Sequence, residues 1–273
     1  MIYMSFFVGL LLICRGGDWF VDAASFIARA FGIPKYIIGA TIVSFATTMP
    51  EILVSVAAAL KGSSVMAMGN AVGSVSANTG IILGVSLFCL PAVIQRKEYL
   101  TKNILYIGSL ILLFIAFRDR IFDAGDSVFL LLGGVLFLIM NVKNAMTGRL
   151  EKEAVPVDKK ELRRRIFFFL FGEACVVTGS ELFIDSACVL ARQFHISEEI
   201  ISVTILAMGT SLPEFVTTIT AILKKESSLS VGNIVGANGI DTAFILPICT
   251  LITGESLSVA PQMAQIDMPV CIL

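Results

Sequence analysis

The stretch SFATTMPEILVSV (Ser44–Val56), with GNAVGSVSANTG (Gly69–Gly80) shortly behind it, recurs later in the chain as AMGTSLPEFVTTI (Ala207–Ile219) and GNIVGANGIDTA (Gly232–Ala243). Each copy sets a glutamate directly after a proline inside an apolar run, as Pro50-Glu51 and Pro213-Glu214. Glu214 follows Glu51 by 163 residues, and Asp241 follows Asn78 by the same 163. Gly69-Asn70 and Gly73 return as Gly232-Asn233 and Gly236 without a gap. An unbroken offset across two segments signals internal duplication. An ionisable residue in an apolar span is costly and marks a site; a matched pair in two halves marks one shared site.

The surroundings of these blocks are those of a membrane protein. Of 273 residues, 56% are hydrophobic and 15% charged, with mean hydropathy +0.90, where a soluble domain carries about 25% charge. The lipid bilayer is therefore the expected partner. The net charge of −1 gives no ground for a nucleic-acid partner. Six cysteines are scattered through apolar runs without a C-x-x-C pair and read as small buried hydrophobes. The first residues lack the basic flank and cleavage site of a signal peptide and read as part of a first membrane helix.

About 20 apolar residues cross the hydrocarbon core. That measure predicts helices over Ile2–Phe31, Pro34–Leu60, Ser64–Ile94, Thr101–Phe117 and Ser127–Met146. A polar linker follows at 147–165, ending in KKELRRR. Further helices are predicted over Ile166–Phe194, Ser197–Leu223 and Ser228–Thr253. The first half is thus 1–146, with one repeat at about 39–84, and the second 166–273, with the other at about 202–247. Asp18 and Asp22 in the first long helix return as Glu181 and Asp185 in the second. They read as anchors of helix ends or the lining of an entrance. Five crossings lie between the copies, and an odd number turns the second upside down. Basic residues favour the cytoplasmic side, which places the N-terminus outside and KKELRRR within. Gly108 and Gly133-Gly134 read as helix-packing positions.

A proline inside a helix removes a backbone donor, and such a break survives in a membrane only where protein or water satisfies the freed groups. Thr47 and Thr210 stand four residues before the glutamates, on the same helix face, and Thr48 and Ser211 add hydroxyls at the break. Asn78 and Asp241 lie on the following helices, with Ser74 and Ala237 one turn earlier. This set is all oxygen, which suits hard cations such as Ca²⁺ and Na⁺. No histidine or cysteine joins it, which argues against Zn²⁺ or Cu⁺. His195 reads as a solvated or capping residue. Ser55, Thr217, Thr218 and Thr220 read as backbone-bonding or packing hydroxyls.

These two blocks resemble the α-repeats of the cation/calcium exchanger superfamily, particularly the prokaryotic sodium/calcium exchangers, over about Gly9 to Thr253. The resemblance implies an all-α polytopic antiporter of ten helices in two inverted-topology repeats of five. The family's four central ligands fall on Glu51, Asn78, Glu214 and Asp241, and its flanking hydroxyl ligands on Thr47, Thr48, Ser74, Thr210 and Ser211. The two long helices, the first and sixth, are implied to slide across the core. Three departures stand out. Ala46 and Thr48 replace the usual Gly and Ser, Ala237 replaces a serine and removes one hydroxyl, and the chain stops where a ninth helix should begin. Eight helices and a stub are expected, with the last two helices of the second half missing.

The function so implied is export of Ca²⁺ coupled to inward Na⁺ across the cell (inner) membrane, by alternating access around one mid-membrane carboxylate site. Both ions are transported substrates, and no cofactor is implied. The same carboxylates can carry H⁺, so Ca²⁺/H⁺ exchange is the alternative. A cation-binding membrane protein or truncated fragment that does not transport is the other. No phosphate loop and no nucleophile with a base points to an enzyme.

Overall fold

The computed structural model describes residues 2–89, 96–147, 158–195 and 209–272. Helix α1 (Ile2–Phe31) has the predicted bounds. The second predicted helix is real but broken. It consists of α2 (Lys35–Ile38), a π-helical turn (Gly39–Val43), α3 (Ser44–Thr47) and, after Thr48, α4 (Met49–Leu60). The two arms, Lys35–Thr47 and Met49–Leu60, bend by 41°, because Pro50 has no N–H for the preceding turn.

Next come α5 (Ser64–Ala77), a π turn (Asn78–Leu83) and α6 (Gly84–Cys89), followed by α7 (Arg96–Ala116), β1 (Ile121–Phe122) and α8 (Ala124–Thr147). Helix α9 (Lys159–Gln193) starts seven residues before the expected Ile166. Asp158 caps it by accepting from the Lys160 N–H, and Arg165 pairs with Glu161 one turn away at 2.7 Å. KKELRRR is therefore the first turns of a helix rather than linker, as its cap and i,i+4 pair allow. Then follow α10 (Leu212–Leu223), α11 (Ser227–Ile240), a π turn (Asp241–Ile245), α12 (Leu246–Thr253), β2 (Leu257–Ser258), a π turn (Met263–Asp267) and α13 (Met268–Ile272). Helical expectations for 90–94 and 197–208, and the linker reading of 148–157, lie outside the described residues. One small sheet was not foreseen: β1 and β2 pair antiparallel, Ile121 opposite Ser258.

Among the described residues, five helices are long and apolar enough to cross a bilayer, and the bent pair makes a sixth. Leu53, Leu60, Phe129, Leu132 and Leu170 are exposed. In water that would be a defect; in a bilayer it is the lipid-facing surface. At the centre lies α11, buried at every residue from Leu229 to Ile240. It packs on α2, its π turn and α3. Gly232 and Gly236 let it do so, since a side chain there would strike the Tyr36 carbonyl or Ser44. No described residue lies within 4 Å of a Cβ added to Gly69, Gly73 or Gly108, so the packing role expected of Gly108 is not found. Gly134 does pack, against Phe244 and Ala243.

The long helices α1 and α9 run antiparallel across one another. Gly9 meets Gly179 and Gly16 meets Gly172, while Phe6 lies 4.7 Å from Phe183 and Phe20 4.5 Å from Phe169, ring centre to ring centre. Shifting each partner by 163 residues turns the first pair of each kind into the second. A Cβ on Gly16 would sit 2.7 Å from the Gly172 carbonyl and 2.9 Å from the Val176 nitrogen, both backbone atoms that cannot rotate away. Gly16→Ala is therefore expected to cost about 1–3 kcal/mol, read as a lower unfolding midpoint in detergent. Gly108→Ala, made in open space, should leave the midpoint unchanged or slightly raised. Equal midpoints for the two variants would contradict this crossing.

Elsewhere, burial holds for Cys175, Cys188 and Cys249, Cys271 is partly buried, Cys14 and Cys89 are exposed, and none of the six is in a disulfide. Lying outside the core, those two face the apolar surroundings of their helices. His195 closes α9 with φ 58°, its N–H bonded to the Arg192 carbonyl, which is the capping role expected of it.

Candidate functional site

The two proline breaks face each other at the centre of the molecule. Pro50 and Pro213 each occupy the second residue of a twelve-residue helix, α4 and α10, in the same register. Proline suits this first turn because the donor it lacks has no intrahelical acceptor there. The arrangement places Glu51 and Glu214 in the first turn, where the helix dipole favours an anion. Both side chains are 1% exposed, as are Asn78 and Asp241.

Two hydrogen bonds tie the breaks to the opposite half, and they are the same bond made twice. Thr47 Oγ1 donates to Asn233 Oδ1 at 3.3 Å, and Thr210 Oγ1 donates to Asn70 Oδ1 at 3.0 Å; the partners differ by the same 163 residues. Asn70 also donates to the Glu51 carbonyl at 3.0 Å and to Ser55 at 2.9 Å, holding α5 to the first turn of α4. Thr48 Oγ1 lies 3.4 Å from Glu214 Oε1, reaching from one break to the acid of the other. Its counterpart, Ser211, is buried with an unpartnered hydroxyl. Asn78 donates to Asp241 at 3.4 Å. Each of these two residues opens a π turn, a local widening that occurs often at functional sites. Ser74 is buried one turn before Asn78, and Thr210 is half-buried.

The structure thus brings all nine predicted residues to the two breaks and the helices packed on them. Among the described residues, both Glu51 oxygens, Glu214 Oε2, Asp241 Oδ1 and Asn78 Oδ1 are buried without a hydrogen-bond partner. Each such group costs about 1–3 kcal/mol unless something satisfies it. The charges of Glu214 and Asp241 act on Glu51, and that of Asp241 acts on Glu214. Yet no three of the described His, Cys, Asp and Glu residues converge tightly enough to hold a metal by themselves. Amide and hydroxyl oxygens must complete any coordination here, as Ca²⁺ and Na⁺ accept and softer metals do not. Of the hydroxyls expected to bond backbone or pack, Thr217 and Thr218 are buried without a hydrogen-bond partner among the described residues, as packing groups, and Ser55 bonds the Ala67 carbonyl.

A cavity of about 270 Å³ opens onto the breaks from one side, lined by Pro50, Pro213, Thr210, Ser180, Glu181 and Asp185. The acids of α9 do line an entrance. Their counterparts in α1 are held in ion pairs, with Lys224 Nζ 3.2 Å from Asp18 and 2.9 Å from Asp22. Beside that clasp, Lys35 pairs with Glu226 at 2.6 Å.

Three features escaped the sequence reading. Asn70 and Asn233 were visible as repeated Gly-Asn pairs, but their bonds were not assigned. Asn238, which donates to Thr79 at 2.7 Å, has Val75 at its duplicate position and so gave no repeat signal. Glu173 is buried, with both oxygens unpartnered, and its duplicate position is Leu10.

Buried carboxylates at paired helix breaks, inside an apolar bundle and open to one side, define a membrane transport protein for cations. The family model for sodium/calcium exchanger proteins matches residues 1–142 and 165–273. The inner membrane protein YrbG of Escherichia coli is 36% identical over 259 residues, covering 90% of this chain and 78% of that protein. The sodium/calcium exchanger MaX1 of Methanosarcina acetivorans is 27% identical, with 99% and 88% covered. Among solved structures, the sodium-calcium exchanger NCX_Mj soaked with Na⁺ and Sr²⁺ aligns with TM-score 0.85 at 28% identity, over 99% of this chain and 88% of its own. The chain belongs to the sodium/calcium exchanger protein family.

Proposed function

We propose that the protein is a secondary antiporter that exchanges Ca²⁺ for Na⁺ by alternating access. Its site is formed by Glu51, Asn78, Glu214 and Asp241, with Thr47, Thr48, Ser74, Thr210 and Ser211 around them. The observation that carries this reading is the set of buried, unpartnered oxygens on Glu51, Glu214 and Asp241 between two facing breaks. One Ca²⁺, or Na⁺ ions in its place, would neutralise carboxylates that are too costly to carry bare across the bilayer. That cost is what makes exchange obligatory.

The two halves, 1–146 and 166–273, are read as inverted repeats. Supporting this are the antiparallel crossing of α1 and α9 and the twice-made threonine–asparagine bond, each of which repeats at 163 residues. With the N-terminus outside, as the basic residues favour, the cavity lined by Glu181 and Asp185 faces outward and the Lys224 clasp faces the cytoplasm.

The test is Ca²⁺ uptake into proteoliposomes, with an outward Na⁺ gradient imposed and then collapsed. Uptake is expected to need the Na⁺ gradient. Uptake driven instead by a pH gradient would replace Na⁺ by H⁺ as the coupling ion. Ca²⁺ binding without gradient-driven uptake would reduce the protein to a cation binder.

A further inference from the structure

Helix α9 carries a fourth buried acid that the duplicated blocks do not contain. Glu173 is 8% exposed, and both its oxygens lack a partner among the described residues. The fold does not require an acid here, because the equivalent position of α1 is Leu10 and the two helices cross symmetrically all the same. Position explains it better. Val177, Ser180 and Ile184 line the cavity, and Glu173 precedes them by four, seven and eleven residues, on the same helix face. It therefore lies one turn further in than the cavity's lining. Helix α9 also packs on α3 and α10, the segments that flank the two breaks. The charge of Glu173 acts on both Glu51 and Glu214. No basic side chain pairs with it among the described residues.

We propose that Glu173 is a further cation ligand, a staging carboxylate that takes a hard cation between the cavity and the central acids. This deepens the exchanger reading and rests on it for the direction of ion flow. A lone carboxylate without donors is one of the most costly groups to bury, and a cation passing from cavity to site repays that cost on its route. In the occupied form, the ion would share Glu173 with carbonyl or hydroxyl oxygens before reaching Glu51 and Glu214. Asp185, Glu181 and Ser180 line the cavity, and Glu173 lies two turns beyond Ser180 on α9, past Val176 and Val177.

Two measurements test this, with Glu173→Gln and Glu173→Asp beside the unaltered full chain. In proteoliposomes, Glu173→Gln is expected to raise the KM for Ca²⁺ entering from the cavity side by about 5- to 10-fold, with kcat kept within about two-fold. Glu173→Asp should restore the KM. A packing role would lower the amount of folded protein without this split or this rescue. The second measurement does not need transport. In a Glu214→Gln background, stabilisation of the detergent-solubilised protein by Ca²⁺ is titrated by thermal unfolding. The residual response is expected to weaken at least about 5-fold when Glu173→Gln is added. If uptake fails in the unaltered protein but this response is lost, the exchanger reading falls and the Glu173 site stands. An unchanged KM together with an unchanged titration overturns the site.

Discussion

Glutamine at position 51 or 214 is expected to abolish Na⁺-driven Ca²⁺ uptake. The change keeps the side chain's shape and removes one negative charge from a place where nothing else can supply it. Both glutamates are 1% exposed; among the described residues neither Glu51 carboxylate oxygen has a hydrogen-bond partner, and Glu214 accepts one hydrogen bond, at 3.4 Å from Thr48. In the proposed site, a cation between them would meet carboxylates that are little shared with other groups and poorly screened. Breaking a buried charge pair by removing one partner costs about 3–5 kcal/mol, which at about 1.4 kcal/mol per factor of ten is roughly two to three and a half orders of magnitude in affinity or rate. The fold should survive, because the amide puts a less costly group into the same buried space. The measurement is initial Ca²⁺ uptake per mole of reconstituted protein, with unfolding midpoints recorded alongside. Retention of more than a tenth of the uptake in both variants would remove the two acids from the transport site.

How much of this was legible beforehand depended on duplication. The proline–glutamate pairs, Asn78 with Asp241, Thr47 with Thr210 and Thr48 with Ser211 each had a double at one fixed offset, while Ser74, with Ala237 at its duplicate position, rested on the family resemblance alone. The bounds of α1 followed from a long, mainly apolar run that Arg15, Asp18 and Asp22 interrupt without ending; in the structure Gly32, at φ 63°, follows its last residue. Glu173 and Asn238 were invisible to the same logic, since Leu10 and Val75 occupy their duplicate places and a single polar residue in an apolar run has many explanations. The π turns at Asn78 and Asp241 were also unreadable. They add one residue to a helical turn without changing composition or hydropathy, and tertiary packing selects them. The start of α9 was missed because KKELRRR is too polar to cross a bilayer, and that criterion says nothing of helices that extend beyond it. The clasp of Lys224 on Asp18 and Asp22 joins residues about 200 apart in the chain, a pairing no local pattern announces.

That clasp leads to the second large effect. Lys224, Asp18 and Asp22 have duplicates in Lys61, Glu181 and Asp185. In one set the lysine holds both acids. In the other the acids line the open cavity, Lys61 is exposed, and none of the three has an ion-pair partner among the described residues. One lock is fastened and its copy undone, the asymmetry that the proposed alternating access would need of two gates that must not open together. In the opposite state Lys61 is expected to hold Glu181 and Asp185 while Lys224 lets go. Partial burial works against the Lys224 ammonium, but its hydrogen bonds to Asp22 and Asp18 outweigh that and raise its pKa. A raised lysine pKa keeps the clasp charged at neutral pH and loosens it only in strong alkali. Both aspartates are about half exposed, so each pair contributes about 0–1 kcal/mol. Lys224→Glu replaces that attraction with repulsion, and the total of about 2–3 kcal/mol shifts the balance of states roughly 30- to 150-fold. Cysteine at Ser180, inside the cavity, reports this in a cysteine-free background through labelling by an impermeant maleimide. Labelling from the cavity side is expected to fall at least about 10-fold with Lys224→Glu and to hold or rise with Lys61→Glu. Opposite responses from two lysines of like charge, on helices of like register, cannot come from a general loss of stability. If both variants label equally, the clasp is a surface contact and the two halves do not exchange roles through it.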